Sequence, residues 1–138
     1  MTKKLPIGYW IKQADQLLTK GIDDIQSSFG MTRTEWQILN SISEGGGIER
    51  LELTKLMLPF ADTKSVENVL TKFKTGHLIN DDDQKLILTD KGRELHLKCF
   101  EKQKIFRQSV MVNISEQDYQ TTVLTLEKIV KNITPKLV

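Results

Sequence analysis

The sequence holds one cysteine, three prolines and two histidines in 138 residues. A lone thiol cannot close an intramolecular disulfide, so the fold has to rest on its apolar core. His96 and Cys99, three residues apart, could place two metal ligands on one helical face, but no third or fourth accompanies them. No stretch approaches the roughly 20 apolar residues of a membrane span. The start, Met1 to Pro6, has no apolar run of signal-peptide length, so a cytoplasmic location and no membrane partner are expected. Charge of one sign is missing too: 20 Lys and Arg against 18 Asp and Glu leave a net charge of +2. That is far from the basic excess that by itself marks a nucleic-acid binder. No nucleophile–base pair is evident, and Gly45-Gly46-Gly47 lacks the following Lys-Ser or Lys-Thr of a phosphate loop. Asp81-Asp82-Asp83 lacks the glycine and distal glutamate of a calcium loop. Neither an enzyme nor a bound cofactor is expected. What is present is ordinary globular composition, 38% hydrophobic and 28% charged, in a length that fits one domain with helical extensions.

Apolar residues at Ile7, Trp10, Ile11, Ala14, Leu17, Leu18, Ile22, Ile25 and Phe29 recur every three or four positions and predict a first helix ending near Gly30. Thr32-Arg33-Thr34-Glu35 reads as a capping box opening a second helix, with Trp36, Leu39 and Ile42 inward. Three successive glycines from Gly45 stop it. A short helix with Leu53, Leu56 and Met57 inward closes at Pro59. Asp62 or Thr63 caps the next helix, which buries Val66, Val69, Leu70 and Phe73, and Gly76 is the expected left-handed C-terminal cap. From Leu78 to Leu88 the period changes, predicting a small hairpin across the polar stretch Asn80–Gln84. Thr89 then caps a long helix with Leu95, Cys99, Phe106 and Val110 inward. Ser115 caps a last one, in which Tyr119, Val123, Leu126, Val130 and Ile133 are spaced nearly as a heptad seam.

Helix, helix, helix-turn-helix, hairpin, helix, helix is the order of a winged helix-turn-helix with its first and last helices left over. The expected fold is therefore mainly α, with a small β-hairpin wing and N- and C-terminal dimerisation helices. The Ile7–Phe29 stripe and the Tyr119–Ile133 seam carry more apolar surface than one small core can cover, and self-association is the economical way to bury it. The expected domain division is a winged helix-turn-helix lobe over 31–92. Dimerisation helices occupy 1–30 and 112–138, together with the C-terminal part of the 90–111 helix.

Three segments carry a resemblance to a known family: Met31 to Leu39 (MTRTEWQIL), Lys64 to Ile79 (KSVENVLTKFKTGHLI) and Leu86 to Gly92 (LILTDKG). In them the chain resembles the MarR-type (multiple antibiotic resistance) bacterial transcription regulators. The resemblance implies a homodimer that binds pseudopalindromic double-stranded DNA. It also implies release by a small aromatic or anionic effector, or sometimes by thiol oxidation, and a repressor role.

A recognition helix needs short polar side chains at its N-terminal end, where amides and dipole meet phosphate and the first turns reach base edges. Over about 63–75 these are Thr63, Lys64, Ser65 and Asn68. Asn68 can pair with adenine N6 and N7, while Lys64 and Lys72 suit guanine or phosphate. Lys55, Lys85 and Arg33 are further candidates for backbone contacts; for Arg33 a surface cation is the competing reading. Across 54–79 four lysines face two carboxylates, a modest excess, so an ordinary solvated amphipathic helix competes with recognition. The family's wing usually carries an arginine near its tip, but no arginine lies between Arg50 and Arg93 here. Asp81, Asp82 and Asp83 would be repelled by phosphate, leaving Lys85 as the wing's contribution, and Glu67 is a second unfavourable charge.

Tyr9, Trp10 and Trp36, with Arg107 as an anion anchor, are the candidate effector pocket; core packing and an interhelical ion pair are the alternatives. Cys99 on an inward helical face is expected to be inert, though a thiol switch would depend on it. The runner-up function is a winged-helix protein-interaction module with weak or no DNA binding, which the acidic wing favours.

Overall fold

The computed structural model of the chain describes residues 4–135. The chain divides into two compact units, residues 1–106 and 107–138. The elements are helix α1 (Ile7–Ser28), α2 (Arg33–Ser43), strand β1 (Ile48–Glu49), α3 (Arg50–Met57), α4 (Thr63–Thr75), β2 (Ile79–Asp82), β3 (Lys85–Leu88), α5 (Asp90–Val110) and α6 (Glu116–Ile133). Among the described residues no helix is long and apolar enough to cross a membrane.

Local signals fix most helix starts. The Thr32 hydroxyl accepts from the Glu35 amide at 3.1 Å, and the Glu35 carboxylate accepts from the Thr32 amide at 2.8 Å, a complete capping box. Asp62 accepts from the Ser65 amide at 2.8 Å, and Ser115 from the Asp118 amide at 3.0 Å. The Thr89 hydroxyl accepts from the Gly92 amide at 3.0 Å and donates to the His77 carbonyl at 2.6 Å, tying the start of α5 to the end of α4. At the far end of α2, Gly45, Gly46 and Gly47 all take positive φ, which only glycine adopts without strain.

One core serves the first unit. Trp36, Ile38, Leu39 and Ile42 of α2 meet Leu53 and Met57 of α3, Val66, Leu70 and Phe73 of α4, Leu86 and Leu88 of β3, and Cys99 of α5. The strands form one antiparallel sheet in the order β1-β3-β2, with Ile48 opposite Leu86 and Ile79 opposite Leu88. In the second unit α6 packs no residue to full burial, and Tyr119, Val123, Val130 and Ile133 all stay exposed. Much of the α1 stripe is likewise open: Ile7, Trp10 and Leu17 are each more than half exposed.

Several expectations need correction. Gly76 has φ of −81°, and it is His77, at φ 59°, that takes the left-handed position ending α4. The expected hairpin is present. Asn80, Asp81 and Asp82 belong to β2, and the turn is only Asp83-Gln84, both at positive φ as a two-residue hairpin requires. Strand β1 had no sequence signal, because two residues set no period. Leu56 and Val110 are not buried: Leu56 is 53% and Val110 36% exposed. Gln26 and Gln103, polar and unforeseen, are buried instead. The Gln26 amide donates to Gln103 Oε1 at 3.4 Å, and Gln103 donates to the Cys99 sulfur at 3.3 Å.

Candidate nucleic-acid interface

Helix α4 separates its chemistry by face. Val66, Leu70 and Phe73 are buried, so at 100° per residue the opposite side carries Lys64, Asn68, Thr71 and Thr75, all exposed. Thr63 and Ser65 are exposed at its first turn. Part of the expected phosphate seat is already taken, because the Asp62 carboxylate occupies the Ser65 amide.

The two flanks of α4 are ion-paired within the protein. On one side Lys72 Nζ donates to Glu35 Oε2 at 2.6 Å, so the carboxylate that completes the α2 cap also holds a lysine of α4. Burial pushes the Glu35 carboxyl up, but Lys72 and the Thr32 amide and hydroxyl outweigh it and hold the group below its ordinary range. On the other side Arg50 Nη1 donates to Glu67 at 2.6 Å and Nη2 to Asp81 at 2.5 Å, while Lys74 donates to Asp81 at 3.0 Å. Arg50 first, then Lys74, keep the Asp81 carboxyl below the usual carboxylate range. The Arg50 amide also donates to the Gln84 carbonyl at 2.9 Å, so α3 and the hairpin turn are joined directly.

This geometry revises the expected roles. Asp81 is not a bare acidic tip but a neutralised member of the Arg50–Lys74 cluster, and Glu67 is matched by Arg50. Lys72 is engaged by Glu35 rather than presented alone. Asp82 and Asp83 carry no ion pair among the described residues. Lys55 is exposed on α3 and Lys85 on β3. Arg33 pairs with Asp23 at 2.9 Å on the surface. Thr71, Arg50 and Lys74 are the residues of this face that sequence reasoning missed. Thr71 was legible as the position three after Asn68, whereas nothing local pairs Arg50 with Asp81.

Within the first unit, Tyr9 and Trp10 of the expected effector pocket lie on an open helix face and Trp36 lies in the core. Tyr9 and Trp10 meet edge to face, centroids 5.0 Å apart, on the open side of α1. Trp36 is core, and its ring stacks on His96 at 5.0 Å with an interplanar angle of 10°. Arg107 belongs to the second unit. His96 Nε2 lies 2.8 Å from Asn40 Oδ1 and 3.0 Å from Ser43 Oγ, and burial pushes its pKa down. A cavity of about 370 Å³ opens beside it, between Ser43 and Ile42 of α2, Ile87 of β3, and Arg93 and Leu97 of α5. Cys99 is fully buried, and burial raises its thiol pKa.

No protein-family model and no curated protein sequence matches the chain. Solved structures do. The MarR-family protein Rv2887 of Mycobacterium tuberculosis, in complex with DNA, is similar with a TM-score of 0.68 at 20% identity, over 91% of this chain and 98% of that one. MepR, a transcription regulator of the Staphylococcus aureus multidrug efflux pump MepA, has a TM-score of 0.71 at 17% identity, over 94% and 100%. The reduced form of Escherichia coli MarR has a TM-score of 0.64 at 19% identity, over 96% of each chain. With six α-helices and a three-stranded sheet among the described residues, and matches spanning nearly the whole of each relative, the chain has the winged-helix fold of the MarR-family regulators.

Proposed function

We propose that the protein is a MarR-type, homodimeric, sequence-specific DNA-binding transcription regulator that acts as an effector-responsive repressor. The observation that carries this reading is the open face of α4. It presents Lys64, Asn68 and Thr71 in the fold of a protein captured on DNA, while the charges on either side are neutralised within the molecule. Helix α4 enters the major groove of a pseudopalindromic operator, with Thr63, Lys64 and Ser65 at the phosphate edge. Lys55 and Lys85 add backbone contacts, and Lys72 does so only by leaving Glu35. The 31–92 lobe binds DNA, and helices within 1–30 and 112–138, with the end of the 90–111 helix, pair with a second copy through the exposed stripes of α1 and α6.

Two half-sites one helical turn apart, roughly 34–36 Å, demand a matching separation of the two α4 helices. A small aromatic or anionic effector that prefers another separation shifts the population to the unbound form. The cavity lined by His96 and Arg93 offers such a ligand a cation and an aromatic ring, in addition to the Tyr9, Trp10, Trp36 and Arg107 that the sequence suggests.

The test is binding to the chain's own upstream sequence in a salt titration. Log affinity falls linearly with log salt, and Lys64→Ala lowers the slope by about one per subunit, twice that in the dimer. Sedimentation gives twice the 15.9 kDa of the chain. A second reading, a protein-interaction module, is favoured by the exposed Leu51, Leu58 and Phe60 on and just after α3 and by Asp82 and Asp83, which carry no ion pair among the described residues. A flat salt response transfers support to it.

A further inference from the structure

We infer that α4 reads two adjacent A·T pairs in each half-site: an adenine held by the Asn68 carboxamide and, on the next pair, a thymine whose methyl group meets the methyl of Thr71. The inference rests on α4 being the major-groove helix, as proposed above.

Most side chains of α4 that could read other bases are already occupied within the protein. A glutamate reads cytosine through its N4 amine, and a lysine reads guanine through O6 and N7. Glu67, the helix's one carboxylate within its span, is held by Arg50 at 2.6 Å. Lys72 is held by Glu35 at 2.6 Å and Lys74 by Asp81 at 3.0 Å. The side chains suited to G·C pairs are thus engaged on the flanks, apart from Lys64. That lysine lies four residues before Asn68, about 6 Å along the axis and at the phosphate end of the helix.

Asn68 is exposed opposite the core, and among the described residues no hydrogen bond engages its carboxamide. It keeps the donor and acceptor that match adenine N6 and N7. Thr71 is different. Its hydroxyl donates to the Glu67 carbonyl at 3.0 Å, so the polar half of the side chain is engaged by its own helix and the methyl is the unengaged end of an exposed residue. Three residues separate Asn68 from Thr71, a rise of about 4.5 Å on one helical face. Base pairs are stacked about 3.4 Å apart, so the two side chains meet neighbouring pairs. A methyl facing the groove favours the one base with a methyl there.

The experiment is selection of bound duplexes from a randomised pool by the purified full chain, followed by substitution. Two adjacent A·T pairs are expected in each recovered half-site. Asn68→Ala lowers discrimination at one of them by about 5- to 150-fold and leaves the other positions unchanged. Replacing the neighbouring thymine by deoxyuridine weakens binding of the unsubstituted protein and of Thr71→Val by about 3- to 5-fold, and leaves Thr71→Ser unaffected. Salt-dependent binding with G·C pairs recovered, or with discrimination intact in Asn68→Ala, overturns the inference while the proposed function stands. No binding to any duplex at low salt overturns both.

Discussion

The Arg50 guanidinium donates to the Glu67 carboxylate at 2.6 Å, joining the first residue of α3 to the middle of α4. Its other terminal nitrogen reaches Asp81 on β2, which also receives Lys74. Helix-turn-helix and wing are therefore cross-braced by charge, and the cations of the brace are spent on the protein's own carboxylates.

That brace sets a DNA-binding prediction. Asp81→Asn frees Lys74 for phosphate and leaves Arg50 paired with Glu67. DNA affinity then rises, and the slope of log affinity against log salt steepens by about one per subunit. A salt titration of variant and unsubstituted protein on one duplex checks it; identical slopes would show that Lys74 never reaches the backbone.

Gly92 of α5 lies hard against the segment joining α4 to β2. A Cβ added there would lie 2.1 Å from the Leu78 carbonyl oxygen, which accepts from the Thr89 amide at 2.9 Å. Backbone, not a pliable side-chain tip, stands in the way. Gly92→Ala is expected to cost about 1–3 kcal/mol in urea unfolding. Gly8→Ala, on α1 with nothing within 4 Å, serves as the control and is neutral or stabilising.

The buried glutamine pair gives an asymmetric prediction. Gln26 Oε1 has no hydrogen-bond partner among the described residues, while its amide donates to Gln103. Gln103→Leu strands both ends of Gln26 and costs about 1–3 kcal/mol. Gln26→Leu exchanges one orphaned oxygen for another and is close to neutral. The double substitution removes both orphans and recovers the loss, which a double-mutant cycle by denaturant unfolding measures.

His96 makes stability depend on pH. Burial lowers its folded pKa from the ordinary value of about 6.5, with Glu44 offsetting part of the shift. The unfolded chain therefore takes up a proton first as pH falls, so stability is full above that ordinary value and is lost as pH drops through the lower folded one. Urea midpoints from pH 7.5 to 5.5 should decline, and His96→Gln should flatten the decline. An NMR titration placing the His96 pKa above the ordinary value would reverse the sign.

Helices were readable because their determinants are local. The Thr32–Glu35 box, the Asp62 and Ser115 caps and the glycines after Ser43 each act within a few residues, and the core faces of α2 and α4 follow from a 3.6-residue period. Reading failed where a residue's role depends on something distant. Asp81 looked like a repulsive wing tip because nothing near it in sequence announces Arg50. Leu56 looked inward because helical spacing alone cannot say how wide the covered stripe is. The left-handed position falls on His77 rather than Gly76, and the hydroxyl bound to the His77 carbonyl comes from Thr89, twelve residues on.

The amino-acid order by itself determined the succession of elements, their caps and the outward placement of Lys64 and Asn68, since all of these follow from interactions spanning one or two helical turns. Tertiary structure alone decided which charges remain available to a partner. The pairs Arg50–Glu67, Arg50–Asp81 and Lys72–Glu35 join residues 17, 31 and 37 apart. Coulomb attraction at 2.5–2.6 Å exists only after α2, α3, α4 and the hairpin have packed on their common core.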